Sequence, residues 1–216
     1  MSEYKISGET QSALIRAAGT LFAERGVAAV SVREITKLAG TQLNAVSYHF
    51  GGKDGLTAAV LEFVFRDWEP ELLVDYVRSN EHLFQSPDGQ KRLVLDLLEI
   101  LFRFIYSQDQ EAWINMFRMR VTIAGWRLDD DWVRRFEPVR EVFMTVFRRI
   151  TGNDDFTTAH CWFLNIIGGA SFYAANLSLL SKVAPDEKLN FSFYRRIQHI
   201  AMQNALFGLG LITHTV

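Results

Sequence analysis

The chain has 216 residues, 49% hydrophobic and 13% aromatic, enough for one large domain or for a small and a larger one. Its formal net charge of −2 excludes a uniformly basic nucleic-acid coat but leaves room for a local basic patch. The single cysteine, Cys161, excludes an intramolecular disulfide framework and fits a reducing, cytoplasmic setting.

The polar start "MSEYKISGET" lacks the apolar run of a signal peptide, so none is expected. The stretch "HCWFLNIIGGASFYAANLSLL" is broken by Asn165 and Asn176, which favours a buried or interfacial helix over a membrane span. Proline is rare, β-branched alternation is absent, and apolar residues recur at three and four, so an all-α fold is expected.

Leu14, Ala17, Ala18, Leu21 and Phe22 share one face of a first helix, ended by Gly26. Ser31 with Glu34 makes a capping box that starts a second helix, with Ile35, Leu38 and Ala39 on its inner side and Gly40 at its end. Thr41 is placed to cap a third helix that runs to about Tyr48, where Gly51 and Gly52 stop it. A fourth helix begins near Lys53 or Asp54 and continues past Trp68 with a bend at Pro70. In "KRLVLDLLEILFRFIYSQ" the polar Arg92, Asp96, Glu99 and Arg103 fall on one narrow stripe, so most of that helix is buried. Further helices are expected over about 110–126, 132–151, 155–182 and 190–212. The division this implies is a small domain over 1–53 and a larger helical domain over 54–216.

A helix, a sharp turn at Gly40 and a short second helix make a helix-turn-helix. Ile35, Ala39 and Val46 pack the two helices together and leave Gln42, Leu43, Asn44 and Ser47 outward. So short a helix gains little stability alone, so its surface is there for a partner, and a DNA major groove is read by such groups. Tyr48, His49 and Lys53 lie where they reach phosphates, beside the amides that open the next helix. A hydrogen-bonded structural role is the other reading of His49.

The segments "TLFAERG", "SVREITKLAG" and "VSYHFGGKDGL" resemble the TetR/AcrR family of transcriptional regulators over about residues 10–60. The resemblance implies three N-terminal helices that bind DNA, and later helices that bind an effector and dimerise. By position it implies base contacts for Val32, Arg33, Leu43, Asn44 and Ser47, and phosphate contacts for Thr41, Gln42, Tyr48, His49 and Lys53. Thr36 and Thr41 stand where alanine and valine are usual, and Asn44 where glycine is frequent, so the base preference departs from the common pattern. "FRMR" and "CWFLNIIGGASFY" resemble, more distantly, the fatty-acid-responsive PsrA-like branch.

On a helical wheel Arg120 falls among Trp113, Met116, Phe117, Ile123 and Ala124, opposite Asn115, Arg118 and Thr122. A charge there needs a partner. The candidates are a carboxylate such as Asp96 or Glu99, helix-end carbonyls, or the anionic end of an effector in a pocket walled by Trp113, Met116, Phe117, Trp162 and Phe163. Cys161, Gly168 and Ala175 recur at sevenfold spacing, flanked by Leu164 and Ser171, and Ala201, Ala205 and Gly208 align on the last helix. Such small stripes suit close helix packing, within one subunit or in a four-helix dimer interface, and the family resemblance favours the interface. A Gly-rich phosphate loop, a cysteine pair and H-E-x-x-H spacing are all missing, so no enzyme activity, metal or cofactor is expected. The resulting expectation is a homodimeric repressor on a pseudo-palindromic operator, released by a small, largely apolar effector, acyl compounds included. The alternative is a helical small-molecule-binding protein without operator binding.

Overall fold

The computed structural model describes the backbone of residues 2–124, 130–188 and 190–213, and side chains over these spans except 2–7, 122–124, 130–133, 170, 171, 175, 177 and 178. Among the described residues the regular elements are all helical. In chain order they are α1 (Ser2–Arg25), α2 (Val32–Ala39), α3 (Ala45–Phe50), α4 (Lys53–Val64), α5 (Glu71–Ser79) and α6 (Pro87–Ile105). Then come α7 (Ala112–Ala124), α8 (Asp130–Thr151), α9 (Phe156–Ala175), α10 (Leu177–Val183) and α11 (Phe191–Gly208). A short 3-10 turn, Glu81–Gln85, leads into α6.

Two compact units form. The first comprises residues 1–68 and 109–120. In it α1 packs on α2, α3 and α4, around the fully buried Leu14, Ala18, Phe22, Ile35, Val46, Leu56 and Val60. Burying side chains of this size contributes roughly 1.5–3 kcal/mol each. The first part of α7 completes this core. Trp113 lies against Gly19 and stacks on Phe63 at 5.9 Å between centroids, and Phe117 meets Phe22 at 6.3 Å. Glu111, just ahead of α7, pairs with Arg16 of α1.

The second unit comprises residues 69–108 and 121–216. Ser86 caps α6 by accepting the Gly89 amide at 3.1 Å, with Pro87 at the first helical position, where its missing N–H costs nothing. Leu93, Val94, Leu97, Leu98 and Leu101 are buried, while Arg92 and Arg103 are exposed and Asp96 and Glu99 half-buried, as the narrow polar stripe requires. Asp96 accepts the Tyr76 hydroxyl of α5, and burial together with that carboxylate pushes the phenol up to about 12. Glu99 accepts Gln198 Nε2 at 2.6 Å and Arg195 Nη1 at 3.3 Å, which ties α6 to α11. Phe143, Phe147, Trp162 and Phe163 pack α8 on α9, and Trp162 Nε1 donates to the Ala205 carbonyl of α11 at 3.1 Å.

Four expectations about local structure are corrected. The third helix begins at Ala45 rather than directly after a Thr41 cap, because residues 41–44 form the turn, where Ala45 N bonds Gln42 O at 3.0 Å. The helix from Lys53 stops at Val64 and a new one opens after Pro70, whose ring cannot continue a hydrogen-bonded helix from below. The helix expected over 155–182 breaks at Asn176, which caps α9 with its side-chain amide on Phe172 O at 2.8 Å. Leu38, placed on the inner side of α2, is 56% exposed, and Thr36 takes an inner position instead.

Candidate nucleic-acid interface

The capping box forms in full. Ser31 Oγ accepts the Glu34 amide at 3.3 Å, and Glu34 Oε2 accepts the Ser31 amide at 2.8 Å. Arg25 at the end of α1 reaches the same carboxylate at 2.8 Å, so the start of α2 is tied to α1. The Ser31 hydrogen bonds, then Arg25, hold the Glu34 carboxyl at about 2, against an ordinary 4.5. Thr36 is accommodated by turning its hydroxyl onto its own helix, at 3.1 Å from Val32 O and 3.2 Å from Arg33 O. From this helix Arg33 and Lys37 are exposed and Val32 is half-buried.

Gly40 ends α2 with φ 66°, a left-handed conformation that lets the chain turn within one residue. Gln42, Leu43 and Asn44 follow, all exposed. Thr41 is half-buried, and its hydroxyl has no hydrogen-bond partner, so it does not cap α3. Val46 points into the core at 0% exposure, which fixes the rotation of α3 and leaves Ser47 and Tyr48 outward. Tyr48 is 81% exposed, the most exposed large apolar side chain among the described residues, and meets His49 edge-on at 4.8 Å. Gly52, with φ 125°, carries the chain into α4, where Lys53 is half-buried in the first turn. Gly55 is a steric requirement, since a side chain there would strike the Phe50 carbonyl and force α3 off α4.

Val32, Arg33, Thr41, Gln42, Leu43, Asn44, Ser47, Tyr48, His49 and Lys53 therefore all belong to one unit, on α2, the turn, α3 and the start of α4. The surface combines exposed amides, hydroxyls and cations with an exposed leucine and tyrosine. Such groups hydrogen-bond base edges and phosphates and touch thymine methyls. Among the described residues no cluster of three His, Cys, Asp or Glu suits a metal, and no helix is long and apolar enough to cross a membrane.

The other predicted sites are distributed differently. Trp113, Phe117 and Arg120 belong to the first unit, where both aromatics are core, and Met116 is half-buried on the same segment. Arg120 Nη1 donates to Ala23 O at 2.9 Å and Glu24 O at 3.3 Å, so its partners are helix-end carbonyls rather than Asp96 or Glu99. Arg118 and Asn115, assigned to the opposite and more polar side of α7, are 3% and 2% exposed. Arg118 Nε donates to Val64 O at 2.6 Å, and burial drives its guanidinium down to about 10. The charge pattern alone missed Arg118 because α7 is buried on both faces.

Trp162 and Phe163 are core of the second unit. Cys161, Leu164 and Gly168 lie along the outer side of α9, where a Cβ added to Gly168 meets nothing within 4 Å. The side chains of Ser171 and Ala175 lie outside the described residues. Ala201 and Ala205 are buried within the single chain, on the side of α11 that packs on α9. Gly208 is exposed, and a Cβ added to it would come 2.7 Å from Trp162 Cδ1 of α9. Leu164 and Phe172 on α9, and Ile200 and Phe207 on α11, are exposed apolar side chains.

Comparison with known proteins places this geometry. Residues 14–60 match the family described as bacterial regulatory proteins, tetR family. Over 54 residues the chain is 46% identical to the HTH-type transcriptional repressor Rv3405c of Mycobacterium tuberculosis, covering 25% of this chain and 29% of that protein. It is 30% identical over 105 residues to the probable HTH-type transcriptional regulator YttP of Bacillus subtilis, covering 46% of this chain and 50% of that one. The matches thus span half or less of these curated relatives' lengths. The fold of SmeT, repressor of the Stenotrophomonas maltophilia multidrug efflux pump SmeDEF, superposes with a TM-score of 0.52 at 16% identity, covering 96% of each chain.

Proposed function

We propose, from the match of residues 14–60 to the family of tetR-type bacterial regulatory proteins, that the chain is a homodimeric repressor that binds a pseudo-palindromic operator and releases it on binding a small effector. The observation that carries this reading is the outward set on the helix-turn-helix. Arg33, Gln42, Leu43, Asn44, Ser47 and Tyr48 are exposed together, while Ile35 and Val46 on the same two helices are fully buried. A surface that leaves Tyr48 and Leu43 in water without a partner is costly to keep for packing alone. Residues 1–53 are the reading domain and 54–216 carry effector binding and dimerisation. Val32, Arg33, Leu43, Asn44 and Ser47 read bases. Thr41, Gln42, Tyr48, His49 and Lys53 hold phosphates, the unspent Thr41 hydroxyl among them.

The dimer face is the outer side of α9 and α11, with Cys161, Leu164, Gly168 and Phe172 against the partner's Ile200 and Phe207 region. Its support is the number of half-exposed apolar side chains there and the groove between the two helices, lined by Phe147, Cys161, Asn165, Asn204 and Phe207. The effector is small and largely apolar, and its site is in the second unit. Arg120, Trp113 and Phe117 are engaged in the first unit, whereas the second holds an aromatic cluster of Tyr106, Tyr173, Phe191, Phe193 and Tyr194. The Tyr194 hydroxyl there is buried without a hydrogen-bond partner, and burial raises its pKa, so it stays protonated and able to donate to an effector's acceptor.

The reading is tested by titrating random-sequence duplex at rising salt. A DNA-binding protein loses affinity along a straight log–log line whose slope counts the phosphates it neutralises. A flat line returns the chain to the class of helical small-molecule-binding proteins.

A further inference from the structure

The face formed by α2, the turn and α3 differs from the rest of its unit in how its polar groups are used. Elsewhere in the unit the arginines are engaged. Arg16 pairs with Glu111, Arg25 with Glu34 and Arg66 with Asp67, while Arg118 and Arg120 donate to backbone carbonyls. Arg33 on α2 is exposed, and its guanidinium has no ion pair or hydrogen bond among the described residues. Asn44 is a second group of this kind. It stands directly ahead of α3, where an asparagine ordinarily accepts an amide of the first turn, yet its side chain makes no such bond and is exposed. Leu43 beside it is 51% exposed.

These three side chains carry different base chemistry. An asparagine amide forms two hydrogen bonds to adenine, at N6 and N7; a guanidinium forms two to guanine, at O6 and N7; an apolar side chain covers the C5-methyl of thymine. Leu43 and Asn44 are consecutive, so their Cα atoms lie about 3.8 Å apart. That is close to the roughly 3.4 Å between stacked bases along one strand, and the two side chains reach the same or neighbouring base pairs. An adenine edge and a thymine methyl occur together in every A·T pair. Cytosine is read by a carboxylate that accepts from N4. Residues 35–53 contain no Asp or Glu, and the Glu34 carboxylate is held by Ser31 and Arg25.

We infer that this chain reads an A·T step through Asn44 and Leu43, with Asn44 on adenine and Leu43 on the thymine methyl, and a guanine through Arg33. The inference rests on the operator-binding reading proposed above and adds to it the bases that this face prefers. It concerns only α2, the turn and α3, all within one compact unit. Ser47 adds no preference of its own, because a hydroxyl both donates and accepts.

The test removes single groups from the DNA, which leaves the fold of the protein untouched. The full chain selects a duplex from a random pool. That duplex is rebuilt, one position at a time, with deoxyuridine for thymidine, 7-deazaadenine for adenine or 7-deazaguanine for guanine. Wild type is expected to lose about fourfold in affinity where the contacted thymine lacks its methyl. It is expected to lose about threefold to tenfold where a contacted purine lacks N7. Leu43→Ser should be indifferent to the missing methyl, Asn44→Ala to the missing adenine N7 at the same or the adjacent pair, and Arg33→Ala to the missing guanine N7. Leu38→Ser, at the exposed leucine of α2, should keep the full methyl effect. Variants that stay as sensitive as wild type to the group assigned to them overturn the inference, as does a methyl effect that vanishes with Leu38 instead of Leu43. A selected half-site without an A·T step overturns it too, and in each of these cases operator binding stands. A pool from which no sequence emerges overturns the operator reading and the inference together, so the two failures are told apart.

Discussion

Leu164→Glu and Ala205→Trp both alter helices assigned to dimerisation, and the structure separates their outcomes. Leu164 is 44% exposed on the outer side of α9, so about half of its side chain remains to be buried by a partner. Full burial of a leucine contributes roughly 1.5–3 kcal/mol, so the remaining half contributes about 1 kcal/mol. A two-fold interface contains the residue twice, which brings the loss to about 2 kcal/mol. The glutamate adds an uncompensated charge in a desolvated interface, a cost of several kcal/mol per ion. With that charge present in both copies the total exceeds about 4 kcal/mol, which weakens the dimer by more than roughly 1000-fold. Ala205, in contrast, is 1% exposed and its carbonyl accepts Trp162 Nε1, so tryptophan there overpacks the α9–α11 contact inside one chain. Sedimentation at micromolar concentration, with thermal melting alongside, should show Leu164→Glu as a folded monomer. Ala205→Trp should show a lowered melting temperature, with its folded fraction still dimeric. A stable monomer from Ala205→Trp together with an intact Leu164→Glu dimer refutes the assignment of the two faces.

Lys53→Ala should weaken binding to every duplex and lower the salt slope by about one unit, whereas Asn44→Ala should cost roughly 1–3 kcal/mol at particular base pairs only; binding to a panel of duplexes across salt separates the two. The Glu34 carboxyl is held at about 2 in the folded chain against an ordinary 4.5, so its stabilisation is complete above that value and is lost as pH falls from 4.5 towards 2. Acid unfolding of Glu34→Gln should lack that part of the pH dependence, and curves of equal shape for variant and wild type would exclude the cap as its source. Tyr194→Phe removes a buried hydroxyl that has no partner, so the effector-free protein should gain about 1 kcal/mol in a denaturant melt, and a loss of that size would mean the hydroxyl is satisfied.

The parts of this structure that were legible in the sequence are those decided within a few residues. The capping box of Ser31 and Glu34, the left-handed Gly40 and the stop at Gly51 are local chemistry, and they appear where the sequence puts them. The polar stripe of α6 was legible because one face of that helix meets solvent. Where a helix is covered on both sides, periodicity carries no direction. In α7 the wheel places Arg120 inside and Arg118 outside, yet Arg118 is the more deeply buried, because a guanidinium can be carried inward wherever a carbonyl awaits it. The small stripe of Ala201 and Ala205 shows the same limit: smallness announces a close neighbour but not whether the neighbour belongs to the same chain. Thr41 fits a cap in sequence and is none in structure, since the chain spends three more residues turning before α3 begins at Ala45. Contacts across 54 or 97 positions, such as those of Arg118 and Arg120, leave no trace in local pattern.

The central claim is that the exposed face of α2, the turn and α3 reads an operator in pairs. Selection of bound duplexes from a random pool, followed by sequencing, tests it most directly. The wild-type chain should enrich an inverted repeat whose half-sites lie about one helical turn, or a multiple of it, apart, and Asn44→Ala should alter the enriched bases symmetrically in both halves. A pool that emerges without any enriched repeat, at a salt concentration where the protein is folded and dimeric, contradicts the claim.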